Sequence, residues 1–297
     1  MRSLILAALL VPLPALAGEA GAFLDIGAGA RVSGMGGAGT ALADDAAAIY
    51  WNPAGLARLE KQDLSFSHAE LAVSQRHDFL GYAKPVEGVG TFGAALTYLS
   101  YGDLDGRDAT GRKTADFGAS DAVASFAFAR KVEDGTAGLA VKFVRSHIAE
   151  AEATTVAADF GVAKSLDAGG GKGRAAAAVR NFGPGLKYDD RRDPLPASLN
   201  AGYAWTRARL TLTGDYRYFA RRGGHEGGLG AEFSPVEGFA GRVGYTSQSA
   251  GGGSGFDALK GFTMGAGFKL GSARVDYAAI PGGELGLTHR VDFGVRF

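Results

Sequence analysis

The chain has 297 residues, 31 of them basic and 31 acidic, so it carries no formal net charge at neutral pH. That balance disfavours a nucleic-acid binder, which would show a basic surplus, and the absence of cysteine leaves no disulfide to hold an exported fold. A mean hydropathy of +0.01 suits a soluble protein, but equally a barrel whose apolar outer face and polar lumen average out along each strand.

Residues 1–17, MRSLILAALLVPLPALA, read as a secretory leader. Arg2 is the positive start, Leu4 to Val11 the short apolar core, and Ala15-Leu16-Ala17 an A-x-A cleavage site that leaves Gly18 as the new N-terminus. Pro12 and Pro14 interrupt the segment well short of the roughly 20 residues a spanning helix needs. No later run approaches that length either, RAAAAV at 174–179 being among the longest.

Residues 18–58 are rich in Gly and Ala and lack a period of two. They form an N-terminal segment distinct from the rest of the chain, with a short helix expected over Ala41 to Tyr50 that stops before Pro53. Gly34-Met35-Gly36-Gly37-Ala38-Gly39 matches a dinucleotide fingerprint by letter. It lacks the buried strand before it and the βαβ setting such a site needs, so close packing of a small-residue backbone is the better reading.

From residue 59 to Phe297, alternating segments recur between turn residues. Leu64 and Phe66 open the series, QRHDFLGYAKPV comes second, and Phe92, Ala94, Leu96 and Tyr98 make one apolar face of a third strand. Further segments hold Phe126 and Phe128, then Leu139, Val141 and Phe143 turned away from Lys142. Val156, Ala158, Phe160 and Val162 share a parity that faces lipid, and on this reading their neighbour Asp159 tolerates replacement by Asn. Ala175 to Asn181 precedes a proline-rich break, GPGLKYDDRRDPLP. Leu199 to Trp205, Leu210 to Tyr218, Leu229 to Phe233 and Phe239 to Tyr245 come next, then a GGGSG loop, Phe262 to Phe268, Val275 with Tyr277, and the last strand. In that last strand Val291, Phe293, Val295 and Phe297 alternate with Arg290, Asp292, Gly294 and Arg296. The count is about fourteen, an even number as bacterial barrels require. Glycine, at 48 residues, fits the bends and close backbone approaches of such a wall. Tyr98, Tyr101, Tyr203, Trp205, Tyr216, Tyr218 and Tyr245 fall near segment ends, where interfacial aromatic girdles belong.

Catalytic and metal chemistry find little support. His68, His77, His147, His225 and His289 are scattered without ligand spacing, and no G-x-S-x-G elbow occurs. Asp189, Asp190, Arg191, Arg192 and Asp193 read as a solvated loop, with a calcium site as the lesser alternative. No cofactor and no enzyme activity are expected.

ARVSGMGGAGTALADDAAAIYWNPAGLA resembles the N-terminal signature of the FadL-like superfamily of outer-membrane proteins, and more closely its PorV/PorQ branch. NFGPGLKYDDRRDPLPASLNAGY and ARVDYAAIPGGELGLTHRVDFGVRF resemble the same branch. The resemblance implies an all-β, fourteen-stranded transmembrane antiparallel barrel in the outer membrane, its N-terminal segment folded into the lumen as a plug. It carries Gly34, Gly36, Gly37, Asp44, Asp45, Asn52 and Pro53 over as plug positions, and Phe297 as part of the signal read by the outer-membrane assembly machinery. Residues 1–17, 18–58 and 59–297 then correspond to leader, plug and barrel. Asn52 is expected to bond the wall through its amide. The implied role is assistance to type IX-like secretion, with secretion-system components as partners. Transport of long-chain fatty acids or other hydrophobic compounds is the runner-up, and a structural or porin-like barrel the third reading.

Overall fold

The computed structural model describes residues 20–72, 74–247, 260–282 and 286–297; the leader and the GGGSG loop lie outside them. In chain order the strands are β1 (Asp63–Glu70), β2 (Arg76–Val86), β3 (Gly90–Leu104), β4 (Phe117–Val132), β5 (Gly135–Ile148), β6 (Ala151–Ala168), β7 (Gly171–Phe182), β8 (Leu186–Tyr188) and β9 (Arg191–Asp193). They continue as β10 (Ser198–Arg207), β11 (Leu210–Phe219), β12 (His225–Val236), β13 (Phe239–Thr246), β14 (Phe262–Leu270), β15 (Ala273–Pro281) and β16 (Leu287–Arg296). Fourteen of them close into one antiparallel barrel in sequence order, with β7 paired directly to β10 and β1 to β16; β8 and β9 pair only with each other. At the seam Asp63 sits opposite Arg296, and the residues just outside, Gln62 and Phe297, exchange two backbone hydrogen bonds of 2.9 and 3.0 Å. No described helix is long and apolar enough to cross a membrane.

The period of two becomes the two faces of the wall. Leu64, Phe66, Phe92, Leu96, Phe126, Phe143 and Phe293 are exposed on the outside, while Ser65, Ser67, Ala95 and Ser125 are buried inside. A surface of this kind would be a liability in water and is what a hydrocarbon solvent requires. On β6, Val156, Phe160 and Val162 are each about half exposed, so the expected parity holds. The expectation for Asp159 does not. Its side chain is fully buried, 2.6 Å from Lys142 Nζ on β5, and accepts a 2.7 Å bond from the Asn181 backbone nitrogen at a bulge in the β6–β7 register. Alternation gives a residue's face and not its cross-strand partner, and here the partner is a buried ammonium.

The start of β1, the end of β16 and the two- or three-residue turns that follow β2, β4, β6, β10, β12 and β14 lie at one rim, while the two-residue turn at 149–150 lies at the other. Longer connections, including 105–116 and 183–197, lie at the other. Outer-membrane barrels keep their short turns on the periplasmic side and their longer loops outside. The proline-rich break is not a plain solvated loop. Within it β8 and β9 form a small hairpin that turns at Asp189, and Leu186 and Leu195 are buried against Phe23, Leu24, Val144 and Ala153. Asp193 engages Arg191 at 3.0 Å.

Residues 20–62 contain only short helical turns: Ala22–Asp25, Ala30–Ser33, Ala48–Trp51 and Pro53–Arg58. The helix expected from Ala41 begins seven residues late. The Ala46 nitrogen donates to Asp63 Oδ1 and the Ala47 nitrogen to Asp45 Oδ1, so carboxylates take the donors an earlier helix would have used. Its end is as expected: Asn52, before Pro53, is extended at φ −164° and ψ 107°.

Candidate functional site

The N-terminal segment packs against the inward faces of strands on all sides, and glycines on both surfaces set how closely. Gly36 has φ +68°, and a Cβ there would lie 2.4 Å from the carbonyl oxygens of both Leu229 and Tyr245. The wall answers with glycine: a Cβ on Gly228, Gly230 or Gly244 would come within 2.2 to 2.5 Å of Met35 or Gly36. The Gly36 nitrogen donates to Thr263 Oγ1 at 3.0 Å. Gly34 lies against Gly265, a Cβ on it being 3.2 Å from that Cα, whereas Gly37 has φ +70° but open space, its nearest neighbour being Trp51 at 3.8 Å. Of the three motif glycines, Gly36 is thus demanded by space and conformation together, and Gly37 by conformation alone.

Asp44 and Asp45 join the segment to the wall by charge. Arg31 Nη1 lies 2.9 Å from Asp44 and its Nη2 2.8 Å from Glu232 on β12; Glu232 in turn meets Arg242 at 2.6 Å, and Arg242 meets Asp276 at 2.6 Å. Asp45 meets Arg274 at 3.2 Å, and Arg274 reaches Asp63 at 2.7 Å. Arg296 Nη2 donates to the Asp44 carbonyl at 2.9 Å. Burial raises the Asp44 carboxyl, but the guanidinium groups of Arg31 and Arg58 outweigh that and hold it at about 2. The sequence named the two aspartates and missed Arg31, Asp63, Glu232, Arg242, Arg274 and Arg296. Their legible signal was a row of charges at inward parity near the short-turn ends of the strands.

Asn52 is buried, and its amide does most of its bonding at home. Nδ2 donates to Thr40 O at 3.0 Å, Oδ1 accepts from the Ala54 nitrogen at 3.0 Å, and the reach to the wall is a longer 3.4 Å bond to Val162 O. Shape makes the closer fit: a Cβ on Gly161 would stand 1.8 Å from Asn52 Oδ1, and one on Gly138 2.5 Å from the Pro53 carbonyl carbon. Trp51 Nε1 donates to Ala28 O at 2.7 Å, and Tyr50 donates to Leu24 O at 3.0 Å beneath the Arg180 guanidinium, 4.1 Å above its ring. Thr40 N donates to Asp215 Oδ2 on β11 at 2.7 Å, and Ala30 N donates to Asp292 on β16. The structure therefore brings Gly34, Gly36, Gly37, Asp44, Asp45, Asn52 and Pro53 into one segment, tied round the whole wall, while Phe297 stands apart at the seam.

Two cavities flank the segment. One of about 670 Å³ lies at the short-turn rim among Arg31, Asp44, Asp45 and Arg274. The other, about 270 Å³, lies toward the long-loop rim and touches Gly36, Gly37 and Trp51 of the segment. Asp25, Asp215, Arg217, Glu226 and Arg290 line it. Burial raises the Asp25 carboxyl above its ordinary range in spite of Arg217 and Arg180, and among the described residues both its oxygens lack a hydrogen-bond partner, Arg222 standing 3.9 Å away. Charged linings of this kind favour water and polar groups over hydrocarbon.

Among solved structures the chain is similar to the Pseudomonas putida toluene transporter TodX, with a TM-score of 0.62 and 14% identity over 91% of this chain and 96% of that one. It is similar too to the CymD monoaromatic hydrocarbon channel, at TM-score 0.64 and 13% identity over 92% and 98%. A Pseudomonas aeruginosa FadL homologue matches at 0.54 and 12% over 90% and 97%. At these identities the likeness establishes the fold. No curated protein sequence matches the chain. The family described as Type IX secretion system protein PorV matches residues 17–206. That stretch takes in the N-terminal segment and the first eight barrel strands, and the chain accordingly belongs to the PorV family.

Proposed function

We propose that this protein is an outer-membrane barrel that assists type IX-like secretion, with residues 18–58 serving as a lumenal plug and residues 59–297 as the barrel. Its partners are outer-membrane lipid, the assembly machinery and components of the secretion system. The observation that carries this reading is the seating of the segment: interlocked glycines and two chains of ion pairs hold it between two cavities with charged walls. Such a lumen suits a barrel that presents a surface to protein partners better than one that passes oil. Family membership supports the same role, and the family and fold are those of secretion and transport barrels. Gly34, Gly36, Gly37, Asp44, Asp45, Asn52 and Pro53 are the plug residues of this reading, acting by packing and charge without a cofactor.

The test compares a strain lacking the protein with its parent and a complemented strain. Surface delivery of type IX cargo is expected to fall on deletion, while uptake of toluene and long-chain fatty acids stays the same. Loss of hydrocarbon uptake with normal cargo delivery would overturn the reading in favour of hydrophobic-compound transport. Free permeation of sugars through liposomes carrying the purified barrel would favour the porin-like one.

A further inference from the structure

The cavity of about 670 Å³ at the short-turn rim has more cations than its acids can serve. Its inner end is the N-terminal segment, through Arg31, Asp44 and Asp45, and its mouth is the β12–β13 and β14–β15 turns, through Gly238, Gly271 and Ser272. Six basic side chains line it against four acidic ones, and those acids are shared. Asp44 lies 2.9 Å from Arg31 and 3.4 Å from Arg58, and Glu232 lies 2.8 Å from Arg31 and 2.6 Å from Arg242. Just behind the lining, Asp63 divides itself between Arg274 at 2.7 Å and Arg296 at 3.2 Å.

Two lysines are left over. Lys61, just before β1, and Lys269, near the end of β14, line the cavity, are exposed, and form no ion pair among the described residues. Lys269 stands directly opposite Arg274 in the β14–β15 register, a like-charge pairing that costs stability. Arg174 on β7, at the inward parity of the buried Ala176 and Ala178, adds its charge to those acting on Asp44 and has no ion pair of its own among the described residues. A surplus of one sign between low-dielectric walls focuses its field on the mouth and favours anions there. β1 and β14 are separated in the wall by β15 and β16, about 14 Å at the usual strand spacing. Two lysines so placed suit several spaced carboxylates better than one phosphate. The lining comes from the inward faces of β12 to β16, so the wall itself stands between the cavity and any lipid headgroup.

We propose that this vestibule receives the acidic end of a polypeptide chain, its carboxylates meeting Lys61 and Lys269. The mouth opens on the rim that barrels of this kind turn to the periplasm, and the N-terminal segment closes the inner end, so a chain end is received there and not passed on. Guanidinium groups along the wall suit carboxylates, which they bind through paired, charge-assisted hydrogen bonds. Attraction of this sort speeds encounter and sorts acidic from basic partners more than it adds affinity. The inference goes beyond the secretion role and does not depend on it, because the charge of the cavity is the same whatever the barrel delivers.

The experiment uses the full chain in lipid nanodiscs and a fluorescent octapeptide of alternating serine and glutamate with a free carboxyl end. Replacing its glutamates with glutamine is expected to weaken binding at least tenfold, and added salt to weaken the parent peptide's binding as it screens the charges. Lys61→Glu combined with Lys269→Glu is expected to cost at least tenfold in affinity while the amount of heat-modifiable barrel stays the same. The chain has no cysteine, so a bulky label on Ser272→Cys sits at the mouth alone and is expected to abolish binding. The same label on Thr110→Cys, on the long-loop side, is expected to leave it intact. Equal binding of the glutamine peptide, or block by the Thr110→Cys label and not by the Ser272→Cys label, would overturn the proposal. Displacement of the peptide by inorganic phosphate at matched ionic strength would overturn it in favour of a small-anion site. Should the double lysine variant fail to fold, the label comparison decides. If cargo delivery depends on the protein while the peptide does not bind, the vestibule assignment alone fails; if the peptide binds while delivery is independent of the protein, the secretion role alone fails.

Discussion

Gly36 shows how one hydrogen atom in place of a methyl group positions a segment. The missing Cβ admits two wall carbonyls at a distance no larger residue tolerates, and the backbone there is left-handed as well. Gly36→Ala is expected to cost about 1–3 kcal/mol of seating energy and to raise single-channel conductance in planar bilayers. Gly37→Ala, with a similar φ but open space, is expected to do clearly less; equal effects would mean that conformation and not contact decides. Asp44 supplies a second, pH-dependent tie. Its carboxyl is held below its ordinary value of 3.8, so its stabilisation is complete above about pH 4 and is lost as the pH falls toward about 2. Conductance is expected to rise across that window, and Asp44→Asn to raise it already at pH 7 and flatten the acid response. An unchanged acid response in Asp44→Asn would assign the tie to another group.

Among the elements, β6 separates what a period reveals from what it hides. Its outward face was readable from Val156, Phe160 and Val162 alone, since a strand bathed in lipid has no other way to arrange apolar residues. That Asp159 neutralises Lys142 was not readable, because the partner lies on another strand and the register that joins them is set by the turn between. Phe160→Arg is expected to cost about 2–4 kcal/mol near the membrane midplane. Asp159→Asn is expected to cost at least as much, about 3–5 kcal/mol, because it leaves a buried ammonium uncompensated. A refolding titration in which Asp159→Asn stays within about 1 kcal/mol of the parent would show that Lys142 has another counter-charge. The N-terminal segment was less legible still. It obeys neither period, and its short turns are shaped by bonds to Asp63, Asp215 and Asp292, all distant in sequence.

For the molecule as a whole, closure is the decisive event. Until β16 meets β1, two edges are open and the charges at the short-turn rim have no common centre; afterwards Asp63 can hold Arg274 and Arg296 at once. Phe297, which exchanges backbone bonds with Gln62 at that seam, is proposed to carry the recognition of the last strand during assembly. Deleting it is expected to lower the amount of heat-modifiable barrel in outer-membrane fractions while export continues. Equal amounts of folded barrel in the deletion and the parent would refute that role.

The sequence by itself determined the facing of the wall and its approximate strand count: both come from a period of two written between turn residues, because each strand meets the same two solvents regardless of its neighbours. It pointed also to the glycine-rich segment as something other than wall. Only the tertiary structure decided which wall glycines receive Gly36 and Asn52, which strand charges complete Arg31 and Asp45, and that the proline-rich break folds inward. Those are contacts between positions dozens to hundreds of residues apart, fixed by the diameter and register of a closed barrel, and no local pattern encodes a distance across its interior.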